Sequence, residues 1–322
     1  MRIKCMARML TMIAMIAGAF PAHGQDYPSR PVRIVTAEPG GGNDLAARAI
    51  AQSLTASWPQ QVIVDNRGGA GGARAAQTVA QASPDGYTVL LYSNTLWIGP
   101  LLRRTTPFDP DKDYAPITLA DRAPNILVLH PSVPASSVKE LIALAKAKPG
   151  ALNYSSASPG GSVHLSGELF KSMAGVNIVH VPYKGTGASF IDFLAGHVQM
   201  TFGTAASVAQ HAKAGRLKAL AVTSLQPSAL VPGMPTMAAA GLPGYESVAF
   251  HAMFATARTP ANIVRKLNQE IVRVLNSNDV RDKFLGMGIE TMGTSPSEMT
   301  ATIKSEMARM GKVIKEVGLT YD

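Results

Sequence analysis

The sequence predicts an α/β fold of two lobes with a ligand cleft between them, on three observations. Short apolar runs alternate with helical periodicity from Tyr27 to Tyr92, and the same rhythm starts afresh at Ile126. A Pro- and Gly-rich stretch, Gln226–Tyr245, then leads to a further strand that returns the chain to the first unit. Glycine-rich loops precede helices in both units, and clefts between lobes are where small ligands bind.

In order, Val32–Val35 reads as a strand, Asp44–Ser57 as a helix with Leu45, Ala49, Ile50, Ser53 and Leu54 inward, and Val62–Val64 as a strand. Arg74–Ala82 is helical and Thr88–Tyr92 is a buried strand. A turn-rich region from Pro107 to Pro116 separates these from the strand Ile126–His130. Ser137 and Glu140 form a capping box, which starts a helix over Val138–Ala147 that Lys148-Pro149-Gly150 stops. Strands Leu152–Ser155, Ile178–Val181, Val198–Phe202 and Leu217–Thr223, with helices Val163–Met173 and Gly187–Leu194, complete the second unit. Val248–Ala255 is the returning strand, and two helices finish the chain, opened by Thr259-Pro260 and by Ser295-Pro-Ser-Glu298. Lobe 1 is thus expected over 25–124 and 246–322, and lobe 2 over 125–245.

The first residues stand apart from this globule. Arg2, Lys4 and Arg8 precede an apolar run, Met9–Phe20, and the small-x-small triplet Ala22-His23-Gly24, so residues 1–24 read as a cleaved secretory signal and the chain as exported. The run is short of the ~20 residues a membrane span needs. Cys5, the only cysteine, lies within residues 1–24 ahead of the apolar run, which excludes disulfides, thiolate metal sites and a cysteine nucleophile from the mature chain. Of the remaining residues 27 are basic and 21 acidic, a net charge of +6, without dense basic patches interleaved with aromatics. A nucleic-acid surface is therefore not expected, whereas small anions are favoured.

A helix N-terminus exposes unpaired N–H groups at the positive end of its dipole, and glycine lets an anion approach them. Gly40-Gly41-Gly42, Pro159-Gly160-Gly161-Ser162 and Lys184-Gly185-Thr186-Gly187 each meet that need. Gly68–Gly72 also precedes a helix, but close packing of that helix explains it equally well. The competing dinucleotide fold, an exported oxidoreductase using the Gly40 loop with Asp65 on the ribose, is weakened by Leu45 at the third glycine position. No Gly-x-Ser-x-Gly elbow occurs, and His164 with Glu168 lacks a third metal ligand nearby. Neither an enzyme nor a metal or cofactor site is expected.

The segments "YPSRPVRIVTAEPGGGNDLAAR", "VIVDNRGGAGG", "ASPDGYTVLL", "PNILVLHPSVPASSVKELIALAKAKPGALNYSSAS", "HLSGELFKSMAGV", "VHVPYKGTG", "RLKALAVTS" and "MPTMAAAGLPGYE" resemble the substrate-binding proteins of tripartite tricarboxylate transporters, the Bug or TctC-type family, over residues 27–322. The resemblance implies a type II periplasmic binding-protein fold. It implies a monomer without catalysis that captures a small carboxylate for membrane permease subunits, or reports it to a sensor kinase.

Carried over by this resemblance, the binding loops fall on Pro39, Gly40, Gly41, Gly42, Asn43 and Asp44, and on Ser93, Asn94 and Thr95. In lobe 2 they fall on Ser156, Ser158, Gly160, Gly161 and Ser162 leading to His164, and on Tyr183, Lys184 and Gly185. Asp44 either orients its loop or accepts from a ligand, with a salt bridge to Arg48 as the plainer alternative. Departures from the family pattern fall on Glu38, Trp97, Gly161 and on Gly203-Thr204, and they disfavour a citrate-like tricarboxylate. A ligand with one or two carboxylates and an aromatic ring or amine is expected. Trp97 either stacks on it or packs under the loop, and Glu38 would meet any cation.

Overall fold

The computed structural model describes residues 27–37, 39–40, 42–69, 72–103, 105–156, 160–183 and 186–320. The expected secretory signal lies outside the described residues.

Lobe 1 is built on parallel strands β1 (Val32–Thr36), β2 (Val62–Asn66) and β3 (Thr88–Ser93), joined through helices α1 (Gly42–Ser57) and α2 (Ala73–Ala80). Strand β9 (Val248–Thr256) lies antiparallel to β3, and β4 (Tyr114–Leu129) lies antiparallel to β9. In lobe 2, β7 (Met200–Thr204), β5 (Asn153–Ser156) and β6 (Val179–Pro182) follow β4 in order, and β8 (Lys218–Val222) also pairs with β4. A single strand belongs to both sheets: β4 pairs with β9 as far as Pro124 and with β7 from Asn125.

The first half of β4 falls where the sequence suggests only turns and connections. Prolines lack the amide that a ladder needs, so they argue against a strand. Here register shifts between Pro116 and Thr118 and between Leu119 and Asp121 let the strand bend and continue. Helix α3 (Thr95–Leu102) is likewise unexpected, because Gly99-Pro100 sits inside it. The remaining helices are α4 (Val138–Ala147), α5 (Ser162–Ala174), α6 (Thr186–Leu194), α7 (Ala205–Lys213), α8 (Ala261–Leu275), α9 (Asn278–Gly286) and α10 (Pro296–Val317), with β10 (Glu290–Thr291) beside β4. Helices α7 and α9 are further additions to the sequence reading.

Two local details differ from expectation. Leu45 is 42% exposed, and Ala46, Ala47 and Ala51 are buried with Ile50 and Leu54. The inner stripe of α1 is made largely of alanines, which let it approach the sheet closely. At α4 the Ser137 hydroxyl accepts from the Glu140 amide as expected, but the Glu140 carboxylate accepts from Ser136 N–H and O–H at 2.7 Å and not from Ser137. The capping box at Ser295 and Glu298 is complete, with Pro296 at the first helical position.

One apolar cluster runs through both lobes and includes Trp97, Tyr154, Phe202, Tyr245, Phe250 and Met310. A second fills the opposite face of the lobe 1 sheet around Ile34, Ile50 and Ile271, and a third sits in lobe 2 around Ile126 and Phe193. Helix α10 packs on both α3 and α5, so the end of the chain braces the two lobes together. Among the described residues, no helix is long and apolar enough to cross a membrane.

Candidate ligand cleft

β1 ends at Thr36 and α1 begins at Gly42, so the intervening loop lies at the carboxyl edge of the lobe 1 sheet. Gly40 has φ +79°, a conformation that side chains disfavour. Its amide donates to the Asp44 carboxylate at 2.8 Å, and Asn66 Nδ2 donates to the same carboxylate at 2.9 Å. Arg48 Nε lies 3.0 Å from it. Asp44 is only 3% exposed. Burial acts to raise its pKa, but the bonds from Arg48, Gly40 and Asn66 outweigh that and hold it below the ordinary value. The carboxylate is thus an ionised brace for the loop, and the ion pair with Arg48 is part of the same brace. Pro39 and Gly42 are exposed beside it, and Asn43 is half-buried.

The second lobe repeats this device with different chemistry. Gly160, at φ +73°, donates its amide to His164 Nδ1 at 2.9 Å, again four residues on and in the first turn of a helix. Nδ1 therefore accepts, and the proton of the neutral ring sits on Nε2. His164 stacks on His180 with centroids 4.2 Å apart, and His180 stacks on Tyr154 at 4.8 Å. Burial first, and then the neighbouring His180, push the His164 pKa down to about 4, so the ring is neutral at neutral pH. Ser156 is buried and hydrogen-bonded to His180 at 2.7 Å. Beneath the stack, Glu168 accepts from Tyr154 at 2.5 Å and from Lys171 at 2.8 Å.

The loop after β3 splits between two tasks. Ser93 and Thr95 share a hydrogen bond of 2.7 Å, with Thr95 exposed. Asn94 Nδ2 donates to Glu306 Oε1 at 2.6 Å, and Trp97 Nε1 donates to Glu306 Oε2 at 2.8 Å. Trp97 is 1% exposed and packs against Phe254. This corrects the expectation of ligand stacking: its polar edge is committed to α10 and its faces to the core.

A cavity of about 240 Å³ brings predicted residues of both lobes together, with Asn94 and Thr95 on one side and Gly160, Gly161 and Ser162 on the other. Its apolar walls are Ile98, Leu102, Phe108 and Leu165, and Arg103 also lines it. Ile98, Leu102, Phe108 and Arg103 are not among the binding residues that the sequence suggests, because they lie on α3 and the segment after it, and Leu165 is expected there only as part of a helix. Tyr183 is not in this cavity; its hydroxyl donates to Asp192 at 2.8 Å. Thr204 caps α7 through the Ser207 amide and lines a separate hollow with Phe190 and Phe202. Glu38, Gly41, Ser158, Lys184 and Gly185 lie outside the described residues.

Residues 46–319 match the model of the tripartite tricarboxylate transporter family receptor, TctC. Protein BugT of Bordetella pertussis is 34% identical over 97% of this chain and 98% of its own. The solved structure of R. palustris Rpa4515 with adipate is 36% identical, with TM-score 0.74 over 92% of this chain and 99% of that one. That of MatC from Rhodopseudomonas palustris with bound malate is 28% identical, with TM-score 0.69 over 89% of this chain and all of that one. Members of this family are periplasmic solute-binding receptors and not enzymes, and with the family model spanning most of its length this chain belongs to the tripartite tricarboxylate transporter receptors of the TctC type.

Proposed function

We propose that this receptor, acting as a monomer, captures a small carboxylate between lobe 1 (25–124 and 246–322) and lobe 2 (125–245) and presents the closed form to the permease subunits of a tripartite transporter. The observation that carries this is the cavity shared by Asn94 and Thr95 with Gly160, Gly161 and Ser162. The start of α5 offers amides and a hydroxyl to a carboxylate, and Thr95 offers a hydroxyl from across the cleft. The adipate and malate complexes of the two R. palustris relatives support the same ligand class. The apolar wall of Ile98, Leu102 and Phe108 favours a ligand with a hydrocarbon body, and Arg103 suits a second carboxylate at its far end. Contacts made only when the lobes approach would shift the population towards closure.

The test is thermal unfolding of residues 25–322 against aliphatic dicarboxylates, tricarboxylates, aromatic acids, amino acids and a nicotinamide dinucleotide. A bound carboxylate at 100 times its dissociation constant stabilises the fold by roughly 2.7 kcal/mol, a clear shift in midpoint. A shift with the dinucleotide alone would overturn the proposal.

A further inference from the structure

Strand β9 runs antiparallel to β3, so its first residues lie at the carboxyl edge of the lobe 1 sheet, beside the start of α1. His251 is one of them, in register with Ser93 on β3 and Asp121 on β4. Its Nδ1–H donates to Asp121 Oδ1 at 2.6 Å. Asp121 is fully buried, and its Oδ2 has no partner among the described residues. The other edge of the imidazole lies under Gly42: a methyl group built on Gly42 would sit 3.1 Å from Cε1 and 3.3 Å from Nε2. The His251 side chain is nine-tenths buried, whereas Gly42 above it is exposed. No described residue hydrogen-bonds Nε2.

This geometry restricts the chemistry. With Nδ1–H given to Asp121, Nε2 donates only when the ring is the imidazolium. A buried carboxylate with one oxygen unsatisfied favours that charged ring. Burial acts to lower the His251 pKa, but the charge and hydrogen bond of Asp121 outweigh it and hold it above the ordinary value. The remaining charged groups around it are already engaged. Asp44 on α1 is held by Gly40, Arg48 and Asn66, and Arg122 on β4 by Glu290 at 2.7 Å. β3 contributes uncharged Ser93, bonded to Thr95. An imidazolium beside the positive end of the α1 dipole places two positive features together, and an anion at Gly42 relieves both.

We propose that His251, oriented by Asp121, is a second lobe 1 cation beside Arg103, that it meets a ligand carboxylate at the start of α1, and that this carboxylate binds together with a proton. The inference rests on the carboxylate-receptor function proposed above. The proton goes to Nε2 from solvent, the ring becomes the imidazolium, and Nε2–H donates to the carboxylate.

The test is isothermal titration of the purified protein with adipate and with malate, in buffers of different ionisation enthalpy, between about pH 6 and 9. Proton uptake rising with pH towards one per ligand is expected. His251→Gln should weaken binding roughly tenfold to a hundredfold and abolish the uptake. Asp121→Asn acts through His251, so it should move the uptake to lower pH. Zero uptake in the wild-type protein overturns the inference whatever the variants do, and so does uptake that persists in His251→Gln. If no carboxylate in the unfolding panel stabilises the protein, the receptor function itself falls, and this inference with it.

Discussion

Trp97 and Glu306, more than two hundred positions apart, share a buried hydrogen bond of 2.8 Å that fastens the cleft loop after β3 to the last helix. Burial is the largest influence on Glu306 and raises its pKa to about 7, although Asn94, Trp97 and Arg309 pull the other way. A carboxyl raised from 4.5 binds its proton more tightly in the folded state. Its contribution to stability is full below about pH 4.5 and is lost as pH rises through about 7, an effect on the order of 3 kcal/mol. Glu306→Gln should remove this slope and cost about 1–3 kcal/mol, because one of the two donors then faces an amide N–H. Urea unfolding from pH 4 to 8 measures both.

His164 works in the opposite sense over nearly the same range. Its pKa falls from 6.5 to about 4 on folding, so its contribution is full above about 6.5 and is lost as pH falls towards 4. Near pH 5 to 6 the two slopes oppose each other, and the wild-type protein should show only a shallow dependence. Replacing His164 by Gln should expose the loss on the alkaline side, whereas Glu306→Gln exposes the loss on the acid side. Equal curves for all three proteins would refute the pairing.

The two loop braces make a symmetrical prediction. Asp44→Ala releases the Gly40 amide, Arg48 and Asn66 together, while His164→Ala releases the Gly160 amide and removes a buried ring stacked on His180. Asp44→Ala should cost about 1–3 kcal/mol for its charged bonds, and His164→Ala about 1 kcal/mol for its neutral bond with a further cost for the buried, stacked ring. Both should weaken carboxylate binding, because an untethered loop must be ordered on closure. Denaturant midpoints and titration calorimetry separate the two effects.

Gly167 tests packing in α5. A Cβ there would lie 2.2 Å from the ring of Tyr154, the aromatic that stacks on His180. In an exposed helix Gly→Ala gains up to ~1 kcal/mol, but overpacking a core costs about 1–3 kcal/mol. Gly167→Ala should therefore be net destabilising and should disturb the near-ultraviolet circular dichroism of the tyrosine. Stabilisation would mean that the ring has room to move.

Arg103 bears on ligand choice. Its place beside the apolar wall of the cavity predicts that Arg103→Ala weakens dicarboxylates roughly tenfold and leaves monocarboxylates of the same chain length unchanged. Competition measurements with adipate and hexanoate would check this. Equal losses would assign Arg103 to the fold or to closure.

The parts legible in the sequence are those governed by local chemistry. The run Val32–Val35 followed by three glycines marks strand, loop and helix N-terminus, and Ser295-Pro296 with Glu298 marks the last helix, each within a few residues of the structure. What escaped depends on partners far away. Pro116 reads as the end of a turn-rich region until β9 and two bulges are present to carry the strand through it. Trp97 reads equally as a ligand platform or as packing under its loop until Glu306 arrives from the other end of the chain. His251 and Asp121 meet across two strands from 130 positions apart, a pairing that spacing along the chain cannot encode. The inner stripe of α1 is mostly alanine, so few large apolar residues mark it in the sequence, and Leu45 turns outward.

The sheet order β2-β1-β3-β9-β4 carries a consequence for the biography of the molecule. The strand that closes the gap between β3 and β4 is made only after the whole of lobe 2, so the chain cannot complete its first-made sheet until about four-fifths of it has emerged. Order of synthesis and order of assembly are inverted. Strands β1, β2 and β3 pair with one another without β9, but the join from β3 to β4, and with it the sheet that links the two lobes, waits for residues 248–256 near the far end of the chain.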